Sequence, residues 1–210
     1  MRHGDTEPET VSMPKLLYAP ASPYSAKVRM AAAYAQFALD AVITDTNSAP
    51  PELTSANPLG KIPALVLDDG SGVFDSRAIM QYINRVSGNA LYPRNAAKRT
   101  DAERLEALAD GICDCLLAHV YERRSRPEDL VHQPWLDKQW SKAERALDHL
   151  VKDMPKLPSK VTGGHIALRA CLGYLSLRFA GKWEKGRSKL TRWADRFDQK
   201  FPELAALLPK

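Results

Sequence analysis

Tyr18-Ala19-Pro20-Ala21-Ser22-Pro23-Tyr24-Ser25-Ala26-Lys27-Val28-Arg29 joins a short apolar run, Lys15 to Ala19, to a stretch in which Val28, Ala31, Ala32 and Ala35 recur at helical spacing. A second strand-like run, Leu39 to Thr44, follows. Strand, helix and strand in so short a span read as a βαβ unit with a right-handed crossover.

Ser22 falls where that first strand gives way to the helix. The first helical N–H groups have no internal partners and point at this place, and the helix dipole favours an anion there by about 0.3–1 kcal/mol. Ser22 reads as an N-cap and Pro23 as an N1 proline. The same hydroxyl has a second possible use. A donor beside a thiolate stabilises the ionised form and lowers the thiol pKa from its ordinary value of about 8.5. Ser25 is the rival hydroxyl and Tyr24 a weaker one.

Working outward, Pro50 to Ala56 suits a short helix, and Ile62 to Leu67 a third strand. Asp68-Asp69-Gly70-Ser71-Gly72 is a hairpin turn, with Val73-Phe74 starting the return strand. Ile79, Tyr82, Ile83 and Val86 then make a helical stripe behind Asp75-Ser76. The second half is helical throughout. One long helix runs roughly from Lys98 to Arg124, and a second is marked by Trp135, Trp140, Ala143, Leu147 and Leu150. A third, Ile166 to Phe179, is nearly apolar around its circumference, as the centre of a bundle is. Leu190, Trp193 and Phe197 mark a fourth, and Phe201 to Leu208 a short last one. The expected organisation is an α/β unit over 13–92, a linker over 93–98 and an all-helical unit over 99–210. The polar, acidic residues 1–12 read as a disordered extension, a start placed too far upstream or a cloning remnant.

At 210 residues with 44% in the hydrophobic class, the chain can build one large core or two smaller ones. No apolar run approaches membrane-spanning length, and the N-terminus lacks the apolar core of a secretion signal. Cys113, Cys115 and Cys171 offer neither a disulfide framework nor a Cys-x-x-Cys pair, which points to reduced thiols and a cytoplasmic protein. Residues 13–92 carry six Lys/Arg and six Asp/Glu, whereas 93–210 carry 23 and 16. The basic residues of the second half are interleaved with acids, as in Glu122-Arg123-Arg124-Ser125-Arg126-Pro127-Glu128-Asp129. That is a solvated surface attractive to small anions, and it argues against a nucleic-acid partner.

Two further sites are notable. Pro63 opens a strand, where it removes a donor and fixes local geometry; were the Ile62-Pro63 bond cis, the Ile62 backbone could face an extended peptide-like ligand. Asp75-Ser76 at a helix start is a cap, or equally a place where Ser76 and free N–H groups bind a carboxylate while Asp75 holds an ammonium.

Taken in order, Ser22-Pro23-Tyr24-Ser25-Ala26-Lys27-Val28-Arg29, Asn57-Pro58-Leu59-Gly60-Lys61-Ile62-Pro63-Ala64-Leu65 and Phe74-Asp75-Ser76-Arg77-Ala78-Ile79 resemble the glutathione S-transferases. The resemblance spans Met13 to about Pro209. Leu108 to Ile112, Val120 to Pro127, His165 to Leu168 and Leu172 to Leu175 resemble a bacterial subgroup of them. It implies a thioredoxin-like N-terminal domain that binds glutathione and an all-α domain that contributes the electrophile site. It also implies a cytoplasmic homodimer of a kind associated with detoxification, with glutathione and a small hydrophobic electrophile as its substrates and no metal. Ser22 matches the position of the catalytic Ser or Cys, and a Ser there favours conjugation over thiol transfer. Ile62-Pro63 matches the family's cis-proline site, whose preceding backbone pairs with the cysteinyl group. Asp75 and Ser76 match the acid-Ser pair for the γ-glutamyl end, more often Glu-Ser. Lys61 is implied near the glycyl carboxylate, and Ser25 as a secondary contact. Tyr121, Arg124 and Trp183 are the candidates for the electrophile site, where an Arg or Tyr near the thiolate would stabilise developing negative charge.

One departure stands out. The family commonly starts its central helix with Ser/Thr-x-x-Asp, where this chain has Thr162-Gly163-Gly164-His165. A neutral His supplies no permanent negative charge, so the reciprocal half of the capping box is expected to be weak or absent. The same activated thiolate would serve an isomerase, a dehalogenase or a peroxidase, and a non-catalytic glutathione-binding protein could keep the same fold.

Overall fold

The computed structural model describes residues 13–210; the expectation for residues 1–12 lies outside them. Four strands, β1 (Lys15–Tyr18), β2 (Asp40–Ile43), β3 (Ala64–Val66) and β4 (Gly72–Val73), form one mixed sheet in the order β2-β1-β3-β4. β1 pairs parallel with β2 and antiparallel with β3, which pairs antiparallel with β4. The parallel pair requires a crossover, supplied by α1 (Pro23–Tyr34). α2 (Pro51–Ala56) and α3 (Ser76–Val86) complete this thioredoxin-like part.

The pleat of β1 distributes its side chains to two layers. Leu16 and Tyr18 join the main core with Val28 of α1 and Ile79 of α3, while Leu17 points to the other face and meets Leu53 and Ala56 of α2. Register Leu16↔Leu65 and Leu17↔Ala64 carries the same division into β3. Alternation of this kind is what a sheet covered on both faces requires.

The helical part consists of α4 (Ala96–Ser125), α5 (Gln133–Lys152), α6 (Gly163–Phe179), α7 (Ser188–Lys200) and the short α8 (Pro202–Ala205). α6 is buried from Ile166 to Leu175, which its nearly unbroken apolar sequence predicts. Gly164 lets it approach α4 closely, since a Cβ there would lie 2.4 Å from the Ala102 carbonyl oxygen. The main core runs without a break from Val28 and Ile79 through Ile112 and Leu116 to Leu168 and Trp193. The α/β and helical parts therefore share one interior.

The cap of α6 corrects one expectation. Thr162 N–H donates to His165 Nδ1 at 3.2 Å, so the reciprocal half of the capping box is present. The reason is reach: Nδ1 lies as many bonds from Cβ as the Oδ of an Asp. His165 Nε2–H donates to the Lys156 carbonyl at 2.9 Å, fixing the neutral tautomer that leaves Nδ1 free to accept. Burial lowers the His165 pKa, which keeps the ring neutral.

Among the described residues no helix is long and apolar enough to cross a membrane. Cys113, Cys115 and Cys171 are all free.

Candidate functional site

A cleft of about 790 Å³ opens between the α/β part and the helices. Its walls include Ser22, Lys61, Ile62, Pro63, Asp75 and Ser76 on one side, with Tyr121 and Arg124 of α4 on the other. Three loop-to-helix or loop-to-strand junctions thus meet in one cavity, because the sheet order sets β1 and β3 side by side and brings the α1 and α3 N-termini to the same end.

Ser22 is the N-cap of α1, with φ −78° and ψ 124°, and its Oγ accepts the Ser25 N–H at 3.2 Å. Its hydroxyl proton has no acceptor among the described residues, and the side chain is half-buried at the cleft wall. The other two hydroxyls are differently placed. Ser25 is fully buried and outside the cleft lining, with its Oγ turned toward the Ala19 N–H at 3.5 Å. One turn of helix carries it behind Ser22, into the core. Tyr24 lines the cleft but donates its proton to Asp114 of α4. Burial, then the neighbouring Cys113 and the Asp114 hydrogen bond, raise its pKa far above the ordinary phenol value, so the proton stays there.

The Ile62-Pro63 bond is cis. The loop before it is tied down by Asn57, itself buried, whose Nδ2 donates to the Lys61 carbonyl at 2.7 Å and whose Oδ1 accepts the Leu59 N–H at 3.0 Å. Gly60 at φ 61° takes the left-handed conformation that turns the chain back toward the strand. Lys61 remains exposed at the rim.

Asp75 caps α3 by accepting the Arg77 N–H at 2.9 Å. Ser76 is the first helical residue, 97% buried, and faces the cleft. The exposed Asp75 carboxylate and the Ser76 hydroxyl at a helix N-terminus form an arrangement that can hold an ammonium and a carboxylate together.

Behind this wall lies a charged network that ties α1, α3 and α4 together and that sequence reasoning did not find. Lys27 Nζ, 99% buried, reaches Asp110 Oδ2 at 2.8 Å and Glu106 Oε1 at 3.1 Å. Tyr92 donates to Glu106, and Arg77 Nε donates to Asp110 at 3.1 Å. Burial pushes the Asp110 carboxyl up, while Lys27 opposes that. The signal was available: Glu106, Asp110 and Asp114 repeat every four residues, a stripe of acids on one face of α4.

Trp183 is not in the cleft. It is buried in the connection between α6 and α7, where Arg187 Nη1 donates to its carbonyl at 2.9 Å, and its indole N–H has no partner among the described residues. Removing a large indole from water outweighs an exposed position over a ligand site. Two cleft residues from α6 were missed, Tyr174 and Arg178. Arg178 shares its helix with a second cation, Arg169, and the sequence alone does not say which of the two faces the cleft. Among the described residues no group of three His, Cys, Asp or Glu is arranged to hold a metal ion.

This combination of a thioredoxin-like sheet, a helical bundle and a cleft lined by three chain junctions defines a class. A family model, glutathione S-transferase, N-terminal domain, matches residues 21–86. A glutathione S-transferase from Methylobacillus flagellatus KT, crystallised with GSH bound, is 35% identical with a TM-score of 0.85; the alignment covers 94% of this chain and 100% of that one. A glutathione transferase family member from Pseudomonas fluorescens Pf-5, crystallised with bound S-(propanoic acid)-glutathione, is 32% identical with a TM-score of 0.81, covering 94% and 99%. The uncharacterized GST-like protein YibF of Escherichia coli K12 is 36% identical over 126 residues, which span 58% of this chain and 62% of that relative. The chain belongs to the glutathione S-transferase family.

Proposed function

We propose that the protein is a glutathione transferase in which Ser22 activates the glutathione thiol and the thiolate attacks a small electrophile. The observation that carries this reading is the uncommitted hydroxyl proton of Ser22. Its oxygen already caps α1 by accepting from Ser25, so capping and donation to a thiolate use different parts of one group. A charge-assisted hydrogen bond contributes about 1.5–3 kcal/mol, which corresponds to a thiol pKa about 1–2 lower. An ordinary thiol, about 8.5 in free form and only a few per cent ionised at pH 7, is then roughly one-quarter to three-quarters thiolate.

In this reading the γ-glutamyl end lies at Asp75 and Ser76, with Asp75 opposite the ammonium. The Ile62 backbone meets the cysteinyl unit, and Lys61 faces the glycyl carboxylate. The thiol proton passes to solvent, a sulfur–carbon bond forms, and the leaving group departs with its electron pair. Support comes from the shared cleft and from relatives solved with glutathione or a glutathione thioether. Ser25 is not part of the ligand contact in this scheme, because its side chain is enclosed. We place the protein in the cytoplasm, where its three free thiols persist, and as a homodimer, for which sedimentation at several concentrations is the check.

Ultraviolet titration of bound glutathione tests the mechanism, since thiolate absorbs where thiol does not. The Ser22→Ala protein should bind glutathione with a raised thiol pKa and turn over a neutral electrophile panel more slowly. Binding with no activity against any electrophile would instead favour a non-catalytic glutathione-binding protein.

A further inference from the structure

The far end of the cleft, away from Ser22, is built by two helix C-termini. α4 and α6 run parallel: Gly164 packs on Ala102 and Leu105, Cys171 on Cys113, and Tyr174 lies near Tyr121, each contact further along both helices. Their last turns therefore emerge on the same side and carry Arg124 and Arg178, both in the cleft wall.

Neither arginine has an ion-pair or hydrogen-bond partner among the described residues; Arg124 lies 5.8 Å over the Tyr121 ring. A cation at a helix C-terminus is favoured by the dipole, which accounts for basic residues there. It does not account for these two being unpaired. Their neighbours around the end of α4 find acids: Arg123 reaches Glu128 at 3.1 Å and Arg126, just past the helix, reaches Glu122 at 2.9 Å. Between the two unpaired cations Tyr174 is buried except for its cleft face, and its hydroxyl makes no hydrogen bond among the described residues. Burial pushes its phenol up to about 12 against the opposing pull of Arg178 and Arg124, so it stands as a donor.

The wall between thiol and arginines is set by helical spacing. Asp114, bonded to Tyr24 beside Ser22, is followed on the same face by Leu117, Ala118, Tyr121 and Arg124. Ten residues at about 1.5 Å each separate Asp114 from Arg124 by about 15 Å, and an arginine side chain leans back along the helix toward its N-terminus. The gap suits an apolar body the size of one ring.

We propose that the electrophile is an organic acid: a thiol-reactive apolar body whose carboxylate is held by Arg124 and Arg178, with the Tyr174 hydroxyl as a further donor. This specificity assignment rests on the reading of Ser22 and glutathione given above. It replaces a purely hydrophobic acceptor with an anionic one, and without the two cations the carbonyl ends of α4 and α6 would repel that anion.

Two thioethers of equal size test it by isothermal titration, S-(4-carboxybenzyl)glutathione and S-(4-carbamoylbenzyl)glutathione, which differ in charge at one point. Wild type should bind the carboxylate at least ~10-fold tighter than the amide. Arg124→Gln and Arg178→Gln should each shrink that ratio, and the double variant should abolish it. Taking the ratio within each protein cancels changes in fold or in affinity for the tripeptide. Glutathione binding with equal thioether affinities in wild type overturns this inference alone, as does a preference that survives in both single variants undiminished. Failure of glutathione and both thioethers to bind overturns the glutathione reading and this inference with it.

Discussion

Replacing Lys27 with Met should strongly destabilise the protein. The ammonium is 99% buried and lies within 3.1 Å of two carboxylates, Glu106 and Asp110, whose side chains are 7% and 4% exposed. Its loss leaves two enclosed negative charges, with the Tyr92 hydroxyl on Glu106 and the half-exposed Arg77 on Asp110 as the remaining partners. Breaking a buried pair from one side costs about 3–5 kcal/mol. At about 2–4 °C per kcal/mol for a chain of this size, Tm should fall by roughly 6–20 °C. The pH dependence gives a second handle. Burial already raises the Asp110 pKa in the folded state, and removing Lys27 raises it further. A folded carboxyl with a pKa above its unfolded value binds the proton more readily when folded, so the penalty is complete above that folded pKa and shrinks as pH falls through it. Thermal melts at pH 8 and pH 5 should show a smaller deficit at pH 5, and adding Asp110→Leu should recover much of the loss. A deficit below about 1 kcal/mol, or one equal at both pH values, would refute the account of this network.

Three further outcomes follow from other parts of the molecule. The His165 pKa is lowered by burial, so the stability its neutral ring contributes is present above the unfolded value of about 6.5 and lost as pH falls toward the folded one; His165→Asn keeps an acceptor at the same reach, and its urea-unfolding free energy should fall less between pH 6.5 and 5 than that of wild type. Gly164→Ala meets the Ala102 carbonyl at 2.4 Å, whereas Gly111→Ala on α4 meets open space; calorimetry should show a loss of about 1–3 kcal/mol for the first and none for the second. Ser25→Ala should leave the bound thiol pKa where it is and cost about 1 kcal/mol of stability; a raised thiol pKa in this variant would transfer the role from Ser22 to Ser25.

The strand and helix order was legible because each element carries its own period. β1 and β2 appear within one residue of the Lys15–Ala19 and Leu39–Thr44 runs, and the apolar α6 is the bundle centre. α3 begins at Ser76, three residues before the apolar stripe that starts at Ile79, because Asp75 supplies the cap. What could not be read was which residues from distant elements face each other. Lys27 sits in a helix whose pattern looks amphipathic, and only the reach of its side chain to Glu106 and Asp110 of α4 explains a buried ammonium there. Trp183 was unreadable for the same reason: an indole in a connection can cover a cleft or fill a core, and the sequence around it has no period to decide. The three site motifs were found because caps and proline junctions are local features. Arg178 and Tyr174 were missed because their shared face is set by the parallel run of α4 and α6.

The central claim is that the Ser22 hydroxyl holds a thiolate. Its most direct measurement is the pKa of the thiol of bound glutathione, followed by ultraviolet absorbance in wild type and in Ser22→Ala at saturating protein. The account predicts a wild-type value about 1–2 below that of free thiol and a return most of the way to about 8.5 in the variant. Equal values in the two proteins, with glutathione bound in both, would contradict it.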